Sequence, residues 1–334
     1  MSYPRLAHYT MNRGHGAPLL KPDGTMDVTL IHKLARHHVI APDITPWYSP
    51  QTLGRVDVLQ AMRRLNPNLK ILAYQLFAWW YLPITVVRTS NSWADNWHRA
   101  LVETDGLLDG QWVKWDNPAT EARLTKLLCD LAASRLFDGV FFDYFDAFKS
   151  VSAGGWNQAV DRAVHAIQKA GGPGFLVLGN GGDLRNGNGN MREGFPSNLL
   201  ISNELNVRLW RSGRPHKTHD WLQAGTGHTD PTNPNTQRAA RYAHGYACLF
   251  DMMCSFGPDR DQTIPYHGWW FDFYEHDGKT GWLGEPLGPA TNTGGLWHRR
   301  FALGDVYVNP TDIPRPRPDF ISVPAKDAMF VRAR

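Results

Sequence analysis

The sequence predicts an α/β fold, a (β/α)8 TIM barrel followed by a small C-terminal β-rich tail. Three observations carry that expectation. Short apolar runs bounded by turn residues alternate with helical patterns. Most successive runs stand about thirty residues or more apart, the length of one βα unit. No G-x-G-x-x-G follows any run, which argues against a dinucleotide-binding doubly wound sheet.

In order, the strand candidates are Arg5 to Thr10, His38 to Ala41, Leu69 to Tyr74, Gly139 to Asp143, Phe175 to Gly179, Leu199 to Asn203 and Met252 to Phe256. The helices between them carry their own punctuation. Asn117 is placed to cap NPATEARLTKLLCDLAASRL, with Pro118 at its first position and Leu124, Leu127, Leu128 and Leu131 on one face. A second helix starts at Trp156 and stops at Gly171, and a third runs from Asn235. The eighth strand is expected either near Tyr266, in YHGWWFDFY, or around Ala302 to Gly304, where LWHRRF and DVYVNP also read as a hairpin. DFISVPAKDAMFVRAR reads as a further strand pair turned at Ala325 to Asp327. The domains are therefore expected as a barrel over 1–294 and a β extension over 295–334. GNGGDLRNGNGN, from Gly179 to Asn190, lacks the Lys-Ser/Thr of a phosphate loop and reads as a flexible loop.

Composition excludes several classes of function. Hydrophobic residues at 42% and charged residues at 20% of 334 describe a globular chain, and no apolar run approaches bilayer-spanning length. A formal charge of +4 without any Lys/Arg block gives no footprint for nucleic acid, so neither nucleic acid nor membrane is an expected partner. MSYPRLAHYTMNRG holds no apolar stretch of a secretory signal, which leaves the compartment unassigned. Cys129, Cys248 and Cys254 make neither a disulfide framework nor a C-x-x-C pair and read as buried thiols.

The candidate site comes from acids at strand ends. LFDGVFFDYFDAF holds three aspartates among apolar residues, and they separate by position. Asp138 opens the strand and is assigned to the turn; Asp143 lies at the carboxyl end, where barrel enzymes carry their chemistry; Asp146 follows as a supporting residue. LLISNEL repeats the arrangement with Glu204, two βα units later. Two carboxyl groups, one ionised and one kept protonated, are what glycosidic cleavage requires. Tyr9, Tyr74 and Asn180, at other strand ends, are expected to support them. His8 and Gln75 are candidates for sugar hydroxyls, and Trp79, Trp80, Trp210, Trp221, Trp269 and Trp270 for sugar faces. The polar, Gly/Pro-rich segment from Leu205 to Pro234 reads as a loop covering the substrate. No cofactor is expected, and no metal: DYFD lacks any His-x-His or H-E-x-x-H companion.

NPATEARL leading to FDGVFFDYFD, then NEL, then GWLGEPLGPA and LWHRRFALGDVYVNPTD, resemble glycoside hydrolase families built on TIM barrels. More distantly they are similar to the endo-α-1,4-polygalactosaminidase group. The resemblance runs from about the third strand onward. It implies retaining hydrolysis of O-glycosyl bonds in a polysaccharide or oligosaccharide, with Asp143 as nucleophile or transition-state stabiliser and Glu204 as general acid/base. Tyr144 and Phe145 stand where a small polar residue such as Asn is often found, a departure that bears on subsite geometry. Two other readings stay open: a non-catalytic carbohydrate-binding or structural barrel, as in a phage particle, and a metal-dependent hydrolase or deacetylase.

Overall fold

The computed structural model describes residues 2–9, 21, 23, 25–42, 56–77, 93–109, 112–143, 155–180, 184–196, 217–226, 230–258 and 269–333. Its elements in chain order are β1 (Ala7–Tyr9), α1 (Val28–Ala35), β2 (Val39–Ala41), α2 (Val56–Leu65), β3 (Lys70–Leu76) and α3 (Trp93–Glu103). Then come a small hairpin of β4 (Leu107–Leu108) and β5 (Trp112–Val113), α4 (Pro118–Ala133), β6 (Gly139–Asp143), α5 (Trp156–Gly171), β7 (Leu176–Asn180) and β8 (Gly189–Pro196). β9 (Trp221–Thr226), α6 (Pro234–Leu249) and β10 (Met253–Pro258) follow. The eight strands β1-β2-β3-β6-β7-β8-β9-β10 lie in that order in one sheet, a (β/α)8 barrel. Leu6 bridges Cys254 in parallel, joining the segment of the first strand to the last. Among the described residues no helix is long and apolar enough to cross a membrane.

Two expectations are corrected here. The sixth barrel strand is Gly189–Pro196, which begins inside the segment read as a flexible loop; Leu199 to Asn203 lie outside the described residues. The seventh is Trp221–Thr226, inside the segment read as a covering loop, so Met253–Pro258 becomes the eighth. LWHRRF and GDVYVN do pair as a hairpin, but in a separate sheet.

The chain divides into two compact units. The first holds residues 9–35 and 39–191. Its strands alternate strictly. Ile40, Ile71, Ala73, Phe77, Val140, Phe142 and Val177 pack against Leu34, Leu124, Leu128 and Val164 of the helices. Each buried Ile, Leu, Val or Phe among them is worth about 1.5–3 kcal/mol. The Asn117 carboxamide accepts from the Ala119 and Thr120 amides, the cap expected for α4. Gly171 closes α5, while Gly172 beyond it takes the left-handed φ of 73° and returns its N–H to Gln168. Gly139 is required for strand approach, because a Cβ there would lie 2.3 Å from the Leu176 carbonyl oxygen.

The second unit holds residues 1–8, 36–38 and 192–334. Here α6 packs on β9 and β10 through Tyr242, Tyr246, Leu222, Ala224, Cys254 and Phe256. After two short strands, β11 (Glu275–His276) and β12 (Lys279–Thr280), the chain forms the antiparallel sheet β13-β14-β15-β18, from Thr291–Thr293, Leu296–Phe301, Gly304–Asn309 and Asp327–Arg332. Its inner residues Val306, Val308 and Ala328 share a core with α6, where Gly245 leaves no room for a Cβ. Arg299, almost fully buried, donates to the Cys248 and Leu249 carbonyls at 2.7 and 3.1 Å and pairs with Asp251 at 2.8 Å, satisfying the end of α6. The expected final strand pair is not one: Asp327–Arg332 pairs with β15, and β17 (Ser322–Val323) pairs with β16 (Arg315–Pro316).

Candidate active site

Alternation builds the site from below. On the face of β3, β6 and β7 opposite the helices, Leu72, Gly139 and Leu176 are register partners, and Tyr74, Phe141 and Leu178 form the next row. One step further, Leu76 pairs with Asp143, and Asn180 ends β7. Two buried rows, the lower apolar and the upper carrying the Tyr74 hydroxyl, thus lie under one row that carries an acid and an amide.

Asp143 is 2% exposed, so its carboxylate needs donors to replace water. The Tyr74 hydroxyl, from the row below, donates to Oδ2, and Asn180 Nδ2 donates to Oδ1 at 2.7 Å. The Tyr74 ring lies stacked near Phe141, at 6.2 Å between centroids, which fixes the direction of its hydroxyl. Asp138, at the other end of the strand, has the structural part expected of it. Its Oδ2 accepts from the Ile71 amide and from Arg63, both at 3.0 Å, tying the starts of β3 and β6 to α2.

The structure therefore brings Asp143, Tyr74 and Asn180 together. Gln75 is buried on the other face of β3, between Ala73 and Phe77, with its amide on the Leu76 carbonyl at 2.6 Å. In the second unit His8 is buried with its ring 5.2 Å from that of His37. Trp270 is half-buried, and the Arg36 guanidinium lies 3.5 Å over its ring while pairing with Glu275, so one face is already covered. Trp269 packs against Phe256 and Phe271. Trp221 is wholly buried at the start of β9 rather than on a loop, its indole nitrogen donating to Ser255 Oγ at 2.8 Å. Glu204, Asp146, Trp79, Trp80, Trp210 and the side chain of Tyr9 lie outside the described residues.

Sequence reading missed Gln223 and Ser255, which share one face of β9 and β10. The signal was the alternation in WLQAGT, hidden by the polar residues on either side. His38 and His244 are both held neutral by burial, their pKa values pushed down to about 4 and about 3. Burial pushes the Cys248 and Cys254 thiols up, as expected of buried cysteines, whereas Cys129, also read as buried, is only half-buried. Among the described residues no group of three or more His, Cys, Asp or Glu has the arrangement to hold a metal ion.

No family profile matches the chain, and no curated protein matches it. Solved structures do, and they are glycoside hydrolases. Eubacterium rectale Amy13B superposes with a TM-score of 0.60 at 9% identity, over 99% of this chain and 95% of that one. An α-amylase from Malbranchea cinnamomea gives 0.51 at 12%, over 98% and 94%. Aspergillus fumigatus Ega3, solved in complex with galactosamine, gives 0.48 at 10%, over 77% and 92%. At these identities the likeness to the first two speaks for the fold, the (β/α)8 barrel.

Proposed function

We propose that the chain is a glycoside hydrolase that cleaves a polysaccharide or oligosaccharide by the retaining mechanism, with Asp143 as nucleophile and Glu204 as general acid/base. The observation that supports it most is the seat of Asp143: a carboxylate buried at the carboxyl end of the fourth barrel strand, oriented by Tyr74 and Asn180. Glu204 takes its role from the resemblance that NEL carries.

In the first step an Asp143 oxygen attacks the anomeric carbon while Glu204 gives its proton to the glycosidic oxygen. The C–O bond to the leaving sugar breaks, and a glycosyl ester forms on Asp143. In the second, Glu204 takes a proton from water, the hydroxyl adds to the anomeric carbon, and Asp143 is released as carboxylate. Tyr74 and Asn180 hold the carboxylate plane through both steps, so that it reorganises little. The mechanism requires carboxyl groups about 5–5.5 Å apart.

The test is reducing-end release from a panel of polysaccharides, with the first-formed anomer read by proton NMR. The expected result is release with retained configuration, insensitive to chelator. Release from none, an inverted anomer, or activity lost to EDTA and restored by a divalent ion each contradicts the proposal.

A further inference from the structure

Asp143 is the last residue of β6, and its main chain is held as firmly as its side chain. The Phe77 amide donates to the Asp143 carbonyl oxygen at 3.1 Å, one step beyond the pair of Leu76 and Asp143. That bond extends the ladder between β3 and β6 at the end where the carboxylate stands. The Phe77 carbonyl oxygen accepts in turn from the Trp115 indole Nε1 at 2.9 Å. An indole nitrogen only donates, so the direction of this bond is fixed. Two hydrogen bonds therefore lead from Trp115, through the main chain of Phe77, to the backbone of Asp143.

The rings follow the same path. The Phe77 ring stacks on the Trp115 indole, with centroids 4.3 Å and planes 16° apart, and its centroid is 4.2 Å from that of Phe142. All three side chains are wholly buried on the helix side of the strands. Phe142 immediately precedes Asp143, so the stack touches both strand ends beside the carboxylate. Trp115 stands in the turn between β5 and α4, and that turn is fastened on both sides of it. The Lys114 amide donates to the Gly106 carbonyl at 2.8 Å, and the Asn117 amide donates to the Lys114 carbonyl at 3.1 Å. The Asn117 side chain donates to the Thr104 carbonyl at 3.0 Å. Packing alone would be met by any large apolar side chain; the indole adds a donor aimed at the strand end next to the acid.

Resting on the glycosidase reading above, we infer that Trp115 is a positioning residue for Asp143. It holds the end of β3, and through it the end of β6, where the carboxylate must stand to reach the anomeric carbon. Tyr74 and Asn180 set the carboxylate plane from the opposite face of the sheet, and Trp115 sets the backbone that carries it. Nucleophilic attack tolerates little error: a displacement of about 1 Å can lower a rate about a hundredfold.

The test is steady-state kinetics on whichever polysaccharide the wild type cleaves, run well below the thermal midpoint of every variant. Trp115→Phe keeps a ring for Phe77 to stack on and removes the donor; Phe77→Leu keeps the main chain and removes the stack. Each should lower kcat about tenfold or more, with KM within about threefold of wild type. Leu128→Ala, in the same core on α4, is the control: it should lower the thermal midpoint and leave kcat unchanged. In the Asp143→Asn background Trp115→Phe should take nothing further from the residual turnover, because it acts through that carboxylate. A kcat within about twofold of wild type in the variants that fold, or an equal fall in Leu128→Ala, overturns the inference while the glycosidase reading stands. Cleavage of no polysaccharide by the wild type sinks that reading and the inference with it.

Discussion

Asp143 has a hydrogen bond from the protein on each carboxylate oxygen, one from a phenol below it and one from an amide beside it. That arrangement orients the carboxylate, and it predicts graded losses. Tyr74→Phe removes one donor while keeping the ring on Phe141 and should lower kcat about ten- to a hundredfold, with KM changed far less. A KM effect with unchanged kcat would place Tyr74 in binding instead. At this scale the sequence was partly legible. An acid that ends an apolar strand stands out, and Asp138 and Asp143 separate by their place along it. Which face a neighbour takes was not legible for Gln75: Tyr74 and Gln75 are adjacent polar residues at one strand end, and only register shows that Gln75 turns to the helices.

At the scale of elements, strands rich in β-branched and aromatic residues were readable, and strands made of Gly, Asn and Gln were not. GNMREGFP and WLQAGT are barrel strands because their backbones complete the sheet. Their residues have low strand propensity, and pairing overrides it. The Asn117 cap with Pro118 was readable because it is local; Asn233 with Pro234 holds the start of α6 in the same way, two residues before the Asn235 at which the sequence pattern placed it. Gly139 tests the account of strand packing. Gly139→Ala must push its Cβ away from the Leu176 carbonyl and should cost about 1–3 kcal/mol in urea unfolding. A neutral change would mean that β6 and β7 have slack between them. Arg299→Ala leaves the α6 carbonyls and Asp251 without their buried cation and should cost about 3–5 kcal/mol.

For the molecule as a whole, pH is a direct probe of burial. His38 and His244 titrate near 6.5 when unfolded, but at about 4 and about 3 when folded. Below pH 6.5 the unfolded chain therefore binds protons that the folded chain refuses. Stability from these two groups is fully present above pH 6.5 and falls as pH drops toward 4, by up to about 1.4 kcal/mol per pH unit for each histidine. Urea midpoints between pH 7 and pH 5 should show the slope, and His244→Phe should flatten it by about half; a slope unchanged in that variant rules out His244 as its source. The barrel class was readable in the repeat of βα units, whereas the number and place of its last strands depended on pairings that no local pattern encodes. The central claim is that one carboxylate, set on the fourth strand by Tyr74 and Asn180, performs glycosidic cleavage. The most direct measurement is turnover of Asp143→Asn beside wild type, on whichever polysaccharide the wild type cleaves. The account predicts a fall of about three orders of magnitude or more with the fold intact; wild-type turnover in that variant would contradict it.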